Sequence, residues 1–317
     1  MRRTDPGHRV GAVPAVSQSS RERVPRPFVG DAAQPVWWSR GARRRRWGRD
    51  TGCATHIPVN LLRRRLLIAG ATSVASLWTP LRVRADAREP DLATLRGWIS
   101  AGIERDSSGA VVRVLGVDQA VSDDVFLRAT RSDALPDGYA PADLVSAGAS
   151  GIATAGRQLL RALIVEDTRA LIAEAASDGQ DLYVGSGFRS QAYQEVVFAA
   201  QINRWGDEET ANRYSARPGH SQHQLGTTID FTNTFGAFRR SAAADWLRDN
   251  AHRFGFVLPY SVAAMNRTGY IDEPWHARWV GQPLAAQLRS ANYQDWSTLD
   301  ADDVIAMVRA EAALDAV

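Results

Sequence analysis

Arg217-Pro218-Gly219-His220-Ser221-Gln222-His223-Gln224-Leu225-Gly226-Thr227-Thr228-Ile229-Asp230 is the stretch on which the fold turns. It sets an imidazole, His223, seven residues ahead of a carboxylate, Asp230, with Gly226 between them. The β-branched run that follows the glycine predicts a strand over 227–232. Side chains alternate along a strand, so Thr228 and Asp230 share one face while Ile229 and Phe231 take the other and suit a core. A carboxylate on the polar face of a buried strand requires a partner, and a cation is the obvious one.

Further along the chain, Glu273-Pro274-Trp275-His276 offers a second carboxylate and a second imidazole, three residues apart. On a helix or a tight turn such a pair are neighbours and address one metal. Taken alone, His223 reads as a structural histidine. Joined to Asp230 and His276 it completes two imidazoles and a carboxylate with an open fourth position, the description of a catalytic zinc site. Glu273 is then the base acting on zinc-activated water, or else a partner that orients a ligand histidine. His220 follows Pro218-Gly219, which implies a turn, and reads as a wall residue. His252, near a helix end, reads as a surface or capping histidine. Arg189 ends the glycine-rich run Gly185-Ser186-Gly187-Phe188-Arg189-Ser190. Its fork suits a peptide's terminal carboxylate or a developing oxyanion, with a surface salt bridge as the alternative.

Around these residues the periodicity predicts helices over 90–102, 155–177, 191–205 behind Ser190 as N-cap, 242–254 behind Ser241, 283–290 and 301–313. Strands are expected over 110–117, 125–129, 181–186, 227–232, 256–259 and 277–280. Leu135-Pro136-Asp137-Gly138-Tyr139-Ala140-Pro141 is turn chemistry. Short strands interspersed with helices, without regular βαβ alternation, indicate an α+β fold with a small, mainly antiparallel sheet flanked by helices.

The formal charge of +3 hides an uneven distribution. Residues 1–85 hold 17 of the 38 basic side chains and 4 of the 35 acids, which leaves 21 arginines against 31 acids, a net −10, in residues 86–317. An acidic body argues against a nucleic-acid partner, since phosphate neutralisation needs clustered cations. The single cysteine, Cys53, lies in the leader, so the body has neither a disulfide nor a cysteine-ligated metal. Residues 1–58 are rich in Arg, Pro, Gly and Ser and read as a disordered or spurious upstream leader, with Val59 as an alternative start. Arg63-Arg64-Arg65, the apolar run Leu66–Trp78 and Val83-Arg84-Ala85 have the three-part layout of a signal peptide over 59–85, with a twin-arginine character. Export to the periplasm, cell wall or medium is expected, with no membrane anchor after cleavage.

Together these motifs resemble the zinc D-alanyl-D-alanine carboxypeptidases of the VanY type, whose fold is shared with the hedgehog signalling domain. The likeness runs from about Ala134 to Gly281. It rests on Leu135–Leu144, on Ser186-Gly187-Phe188-Arg189-Ser190 with Gln194, and on Pro218–Gly226 through Asp230. Trp246-Leu247 to Gly255-Phe256 and Glu273-Pro274-Trp275-His276 follow in the family's order. The resemblance implies one zinc ion on His223, Asp230 and His276, Glu273 as general base and acid, and Arg189 as the substrate-carboxylate or transition-state contact. Gln194, Ser221 and Trp275 are expected on the substrate side. Two positions depart from the family pattern: Gln222 stands where Glu is frequent, and Thr228 where a small Ala is usual. The implied organisation is an N-terminal segment of the mature protein over 86–133, a zinc peptidase domain over 134–291 and a C-terminal helical segment over 292–317. The implied substrate is a peptidoglycan stem peptide, cut by a monomer. An L,D-carboxypeptidase, a peptidoglycan endopeptidase and a non-catalytic zinc-fold binding module are the alternatives.

Overall fold

In the computed structural model, residues 91–232, 234–296 and 298–314 are described. The expected leader and signal peptide lie outside them. All fall within one unit, Trp78–Val317. No helix among the described residues is long and apolar enough to cross a membrane.

Helix α1, Leu92–Ala101, starts at Asp91, whose carboxylate accepts from the amides of Ala93 and Thr94, the usual repair of unpaired N-terminal donors. It leads into an antiparallel meander of β1 (Ile103–Arg105), β2 (Val111–Val114) and β3 (Val117–Asp118). The single strand expected over 110–117 is therefore two, because Leu115 and Gly116 both take positive φ and reverse the chain. Helix α2, Gln119–Val125, ends where a strand was expected over 125–129, and 126–129 run on as a turn and irregular chain. The carbonyls of Val125 and Leu127 are occupied by the Arg278 guanidinium instead of a neighbouring strand.

Strands β4 (Leu144–Ser146) and β5 (Leu159–Arg161) form an antiparallel pair. The helix expected from 155 consequently begins only at Val165, after a 3-10 turn, and α3 spans Val165–Ser177. The segment 181–186 makes isolated bridges rather than a strand, Val184 to Thr154 and Ser186 to Asp230. Helix α4, Gln191–Trp205, starts at Ser190, whose hydroxyl accepts from the amide of Tyr193. Short α5 (Glu208–Ala211) follows.

Strand β6 (Thr228–Asp230), α6 (Phe235–Phe238), α7 (Ala242–Asn250), β7 (Phe256–Val257), α8 (Met265–Thr268) and β8 (His276–Trp279) complete the functional half. Helix α9 (Gln282–Ser290) and α10 (Ala301–Ala312) close the chain. Strand β8 is central in a third antiparallel sheet, between β6 and β7. The α+β class expected from the sequence is observed, with three small sheets among the described residues in place of one.

The described residues hold two apolar clusters, a small one of Leu127, Ala129, Leu135 and Leu225 and a large one that reaches most of the elements. Leu95, Ile99 and Val114 from the N-terminal part pack in the same cluster as Ile229, Phe231, Phe256 and Ala277 of the third sheet and Val304, Ile305 and Val308 of α10. That core fixes the third sheet from its apolar side and leaves the opposite face to polar residues.

Candidate metal centre

Strands β6 and β8 bring the two motifs together by register. Asp230 lies directly across from His276, Ile229 from Ala277 and Thr228 from Arg278. Because side chains alternate, Asp230, His276, Thr228 and Arg278 share the face away from the apolar core. The third group arrives from the turn before β6. Residues Gln222–Leu225 form one turn of 3-10 helix, all four buried, and Gly226 ends it at φ 69°. A Cβ at Gly226 would stand 3.0 Å from both Arg161 Cγ and Leu144 Cδ2, so the turn that aims His223 depends on glycine for conformation and for space. On the other side, Glu273 and His276 are joined by a tight turn in which the His276 amide donates to the Glu273 carbonyl at 3.0 Å.

His223, Asp230 and His276 each offer a ligand atom, all within 4.8 Å of one another, and all three side chains are buried. His223 Nε2 lies 3.3 Å from Asp230 Oδ2, and His276 Nδ1 lies 3.2 Å from Asp230 Oδ1. Glu273 Oε2 stands 3.7 Å from His276 Nδ1. These are the residues the sequence assigned to ligands and base, and the fold gathers all four.

The hydrogen bonds decide what the ring nitrogens present. His223 Nδ1 lies 2.8 Å from the carbonyl of Gly187. A carbonyl only accepts, so Nδ1 carries the proton and a neutral His223 turns the Nε2 lone pair inward. Burial, reinforced by Arg189, pulls the His223 pKa down to about 4, so the ring is neutral at neutral pH. Its Nε2 is buried with no hydrogen-bond partner, and it faces a carboxylate. A lone pair set against a carboxylate, in a buried site, is the arrangement a cation resolves. Two imidazole nitrogens and a carboxylate suit a divalent ion of the zinc type, with a coordination position left over.

Glu273 is mostly sheltered, and burial followed by the Asp230 charge pushes its pKa well above the usual carboxylate range, against Arg189 and Arg239. Arg189 donates from Nε to Ser186 Oγ at 3.1 Å, from one terminal nitrogen to Gln194 Oε1 at 3.1 Å, and from the other to Asp230 Oδ2 at 3.2 Å. Its side chain is 18% exposed, so it borders the centre with a face left to solvent.

Other sequence-assigned residues take supporting places. Gln194 has no exposed surface. Its amide nitrogen donates to Ser215 Oγ and to the Ala216 carbonyl, and its oxygen accepts from Arg189. It therefore sits behind the guanidinium and holds it, a correction to its expected place on the substrate side. Trp275 is buried against Phe235, with the Arg239 guanidinium over its ring. Ser221 is buried just ahead of the 3-10 turn. Thr228 is fully buried too. His220 Nδ1 binds the Thr130 carbonyl at 2.7 Å and stays outside the ligand set, as does His252.

Sequence reasoning missed the groups around His276. Tyr260 lies against its ring, centroids 4.7 Å apart. Its Nε2 meets Gln222 Oε1 at 3.1 Å, and Gln222 Nε2 donates to Asp302 Oδ2 at 2.8 Å. Asp302 in turn accepts from Arg278 at 2.6 Å. A signal did exist. Asp302 precedes Ile305 by three residues, a carboxylate on the apolar stripe of α10.

Known proteins resemble this chain over part of its length. The model of the D-alanyl-D-alanine carboxypeptidase family VanY matches residues 157–282, which include Arg189, the three candidate ligands and Glu273. The chain is 30% identical over 135 residues to the bifunctional D-Ala-D-Ala dipeptidase and D-Ala-D-Ala carboxypeptidase VanXYC of Enterococcus gallinarum, covering 40% of this chain and 69% of that one. It is 32% identical over 160 residues to YodJ of Bacillus subtilis (strain 168), covering 48% of this chain and 58% of that protein. Two further curated relatives, of Enterococcus faecium and Enterococcus faecalis, are matched over 33% and 46% of their length. Among solved structures, that of the LdcB LD-carboxypeptidase is similar at 26% identity and a TM-score of 0.47, over 60% of this chain and 89% of that chain.

Proposed function

The chain belongs to the VanY-type D-alanyl-D-alanine carboxypeptidase family, and from that premise we propose that it is an exported zinc peptidase removing the terminal residue of peptidoglycan stem peptides. The observation that carries the reading is the buried, unpartnered His223 Nε2 turned toward Asp230, with His276 completing the ligand set and Glu273 alongside. His223, Asp230 and His276 hold the metal. Bound there, zinc supplies a Lewis acid that polarises the scissile carbonyl and acidifies water.

The chain's own groups do the rest. Glu273 takes the proton of the attacking water on a carboxylate oxygen and returns it to the leaving amine. Its raised pKa suits the second half of that task, and a dication nearby favours the anion needed for the first. Arg189, fixed on three sides by Ser186, Gln194 and Asp230, offers its exposed edge to the substrate's terminal carboxylate, so the cut falls one residue from the end. The three-part signal layout over 59–85 supports export.

Glu273→Ala tests the assignment. The variant is expected to bind one zinc per chain as the wild type does and to lose hydrolysis of a stem pentapeptide, by roughly the 10²–10⁴-fold that general acid–base catalysis contributes. Turnover at the wild-type rate refutes the role of Glu273. Loss of zinc along with activity makes Glu273 a ligand instead.

A further inference from the structure

Gln222 is placed between two groups that each dictate its orientation. Its amide nitrogen donates to Asp302 Oδ2, and its oxygen is 3.1 Å from His276 Nε2. A carboxylate only accepts, so Asp302 holds the NH2 end of the amide on its own side and turns the carbonyl end toward His276. An amide oxygen also only accepts, so His276 Nε2 must carry the proton. The lone pair of neutral His276 is then on Nδ1, the nitrogen that faces Asp230 and Glu273. Asp302 is itself anchored by Arg278, whose other terminal nitrogen holds the carbonyls of Val125 and Leu127. Gln222, Asp302 and Arg278 are all buried, and Asp302 lies on α10, beyond the family-matched residues 157–282.

We propose that Asp302 and Gln222 act as a positioning pair that fixes the tautomer of His276 and so presents Nδ1 to the metal. The proposal rests on the zinc reading of the site for its consequence, but the hydrogen-bond polarity behind it does not. It also gives the Gln at position 222 a physical reason. A glutamate there would set a second carboxylate 2.8 Å from Asp302, whereas the amide links an acceptor on one side to a donor on the other.

The test is a pair of substitutions in the full chain, read by zinc affinity in competition with a chromophoric chelator and by the ¹⁵N shifts of His276 in the metal-free protein. In Asp302→Asn, the new amide keeps its oxygen on Arg278 and turns its NH2 toward Gln222. Gln222 then reverses, its NH2 faces His276 Nε2, and the ring proton moves to Nδ1. Zinc affinity is expected to fall by about 10–100-fold, the usual effect of losing an outer partner of a ligand histidine, and the shifts to change from the Nε2–H to the Nδ1–H pattern. Adding Gln222→Glu to that variant supplies a carboxylate that accepts from both Asn and His276, and is expected to restore both readouts. A purely structural role for Asp302 predicts no such rescue.

Unchanged affinity and unchanged shifts in Asp302→Asn overturn the proposal, as does a loss that Gln222→Glu leaves in place. Should Asp302→Asn fail to fold, Gln222→Met removes both links and keeps the Arg278–Asp302 pair. It is expected to weaken zinc binding and leave the tautomer mixed, and wild-type values in both overturn the proposal. A wild-type chain that binds no zinc sinks the peptidase reading, while the ring shifts of the metal-free proteins still decide the role of Asp302 and Gln222.

Discussion

Under the proposed function, Arg189 is the residue whose replacement separates substrate holding from chemistry. Its planar fork reaches Ser186, Gln194 and Asp230 at once, a geometry that lysine's single ammonium does not reproduce. Arg189→Lys is expected to lower kcat/KM on a stem peptide by about 10–100-fold, the equivalent of one lost charged hydrogen bond. Most of that loss should appear in KM, with one zinc still bound. Steady-state kinetics beside metal analysis checks it, and an unchanged KM argues against a carboxylate contact. At this scale the sequence was most legible. His223, Asp230, Glu273 and His276 were singled out because their chemistry restricts what they do, and the fold brings them together; the strand period put Asp230 on the polar face. Gln194 was misplaced because a glutamine's type does not say whether it faces solvent; only packing, which leaves it no exposed surface, showed that it holds Arg189.

Among the elements, the turn from His223 to Asp230 is the one most sensitive to a single atom. Gly226 combines a positive φ with neighbours 3.0 Å from where a Cβ would stand, whereas Gly151, at φ 77°, has open space for 4 Å around the same position. Gly226→Ala is therefore expected to cost more than backbone strain alone, about 2–4 kcal/mol. Gly151→Ala should cost about 1 kcal/mol. Chemical denaturation of the two variants measures the difference, and equal losses contradict the crowded turn. Elements with capping residues and clean periods, such as α4 behind Ser190 and α7 behind Ser241, were legible from the sequence. The segments 125–129 and 155–164 were not. Their apolar spacing fits either helix or strand, and what decides them is distant: Arg278 holds the carbonyls of Val125 and Leu127, and β4 pairs with Leu159–Arg161.

Across the whole described molecule, one buried pair ties the N-terminal part, the third sheet and α10 together. Arg278, fully buried in β8, binds Asp302 and the carbonyls of Val125 and Leu127. Burial pushes the Asp302 pKa up to about 6 despite the arginine. An acid raised in the folded state keeps a proton there that the unfolded chain has already released. Its stabilising contribution is complete below about pH 4 and is lost as pH rises through about 6, a change of about 2–3 kcal/mol. Metal-free Asp302→Asn, which has no such titration, should show a flatter dependence of unfolding free energy across that window, whatever its absolute stability. A parallel dependence in both proteins contradicts the assignment. Through Gln222 the same pair reaches the candidate ligand His276, so a helix outside the matched family region touches the site. The proposed ligands, base and arginine together give the proposed activity, the metal-dependent removal of a single terminal residue. Its most direct test is the mass of what the zinc-loaded chain releases from a stem pentapeptide ending in D-alanyl-D-alanine. Free D-alanine alone is the predicted product, abolished by a chelator and restored by zinc. An internal cut, release that survives chelation, or no release from the zinc-loaded chain would contradict it.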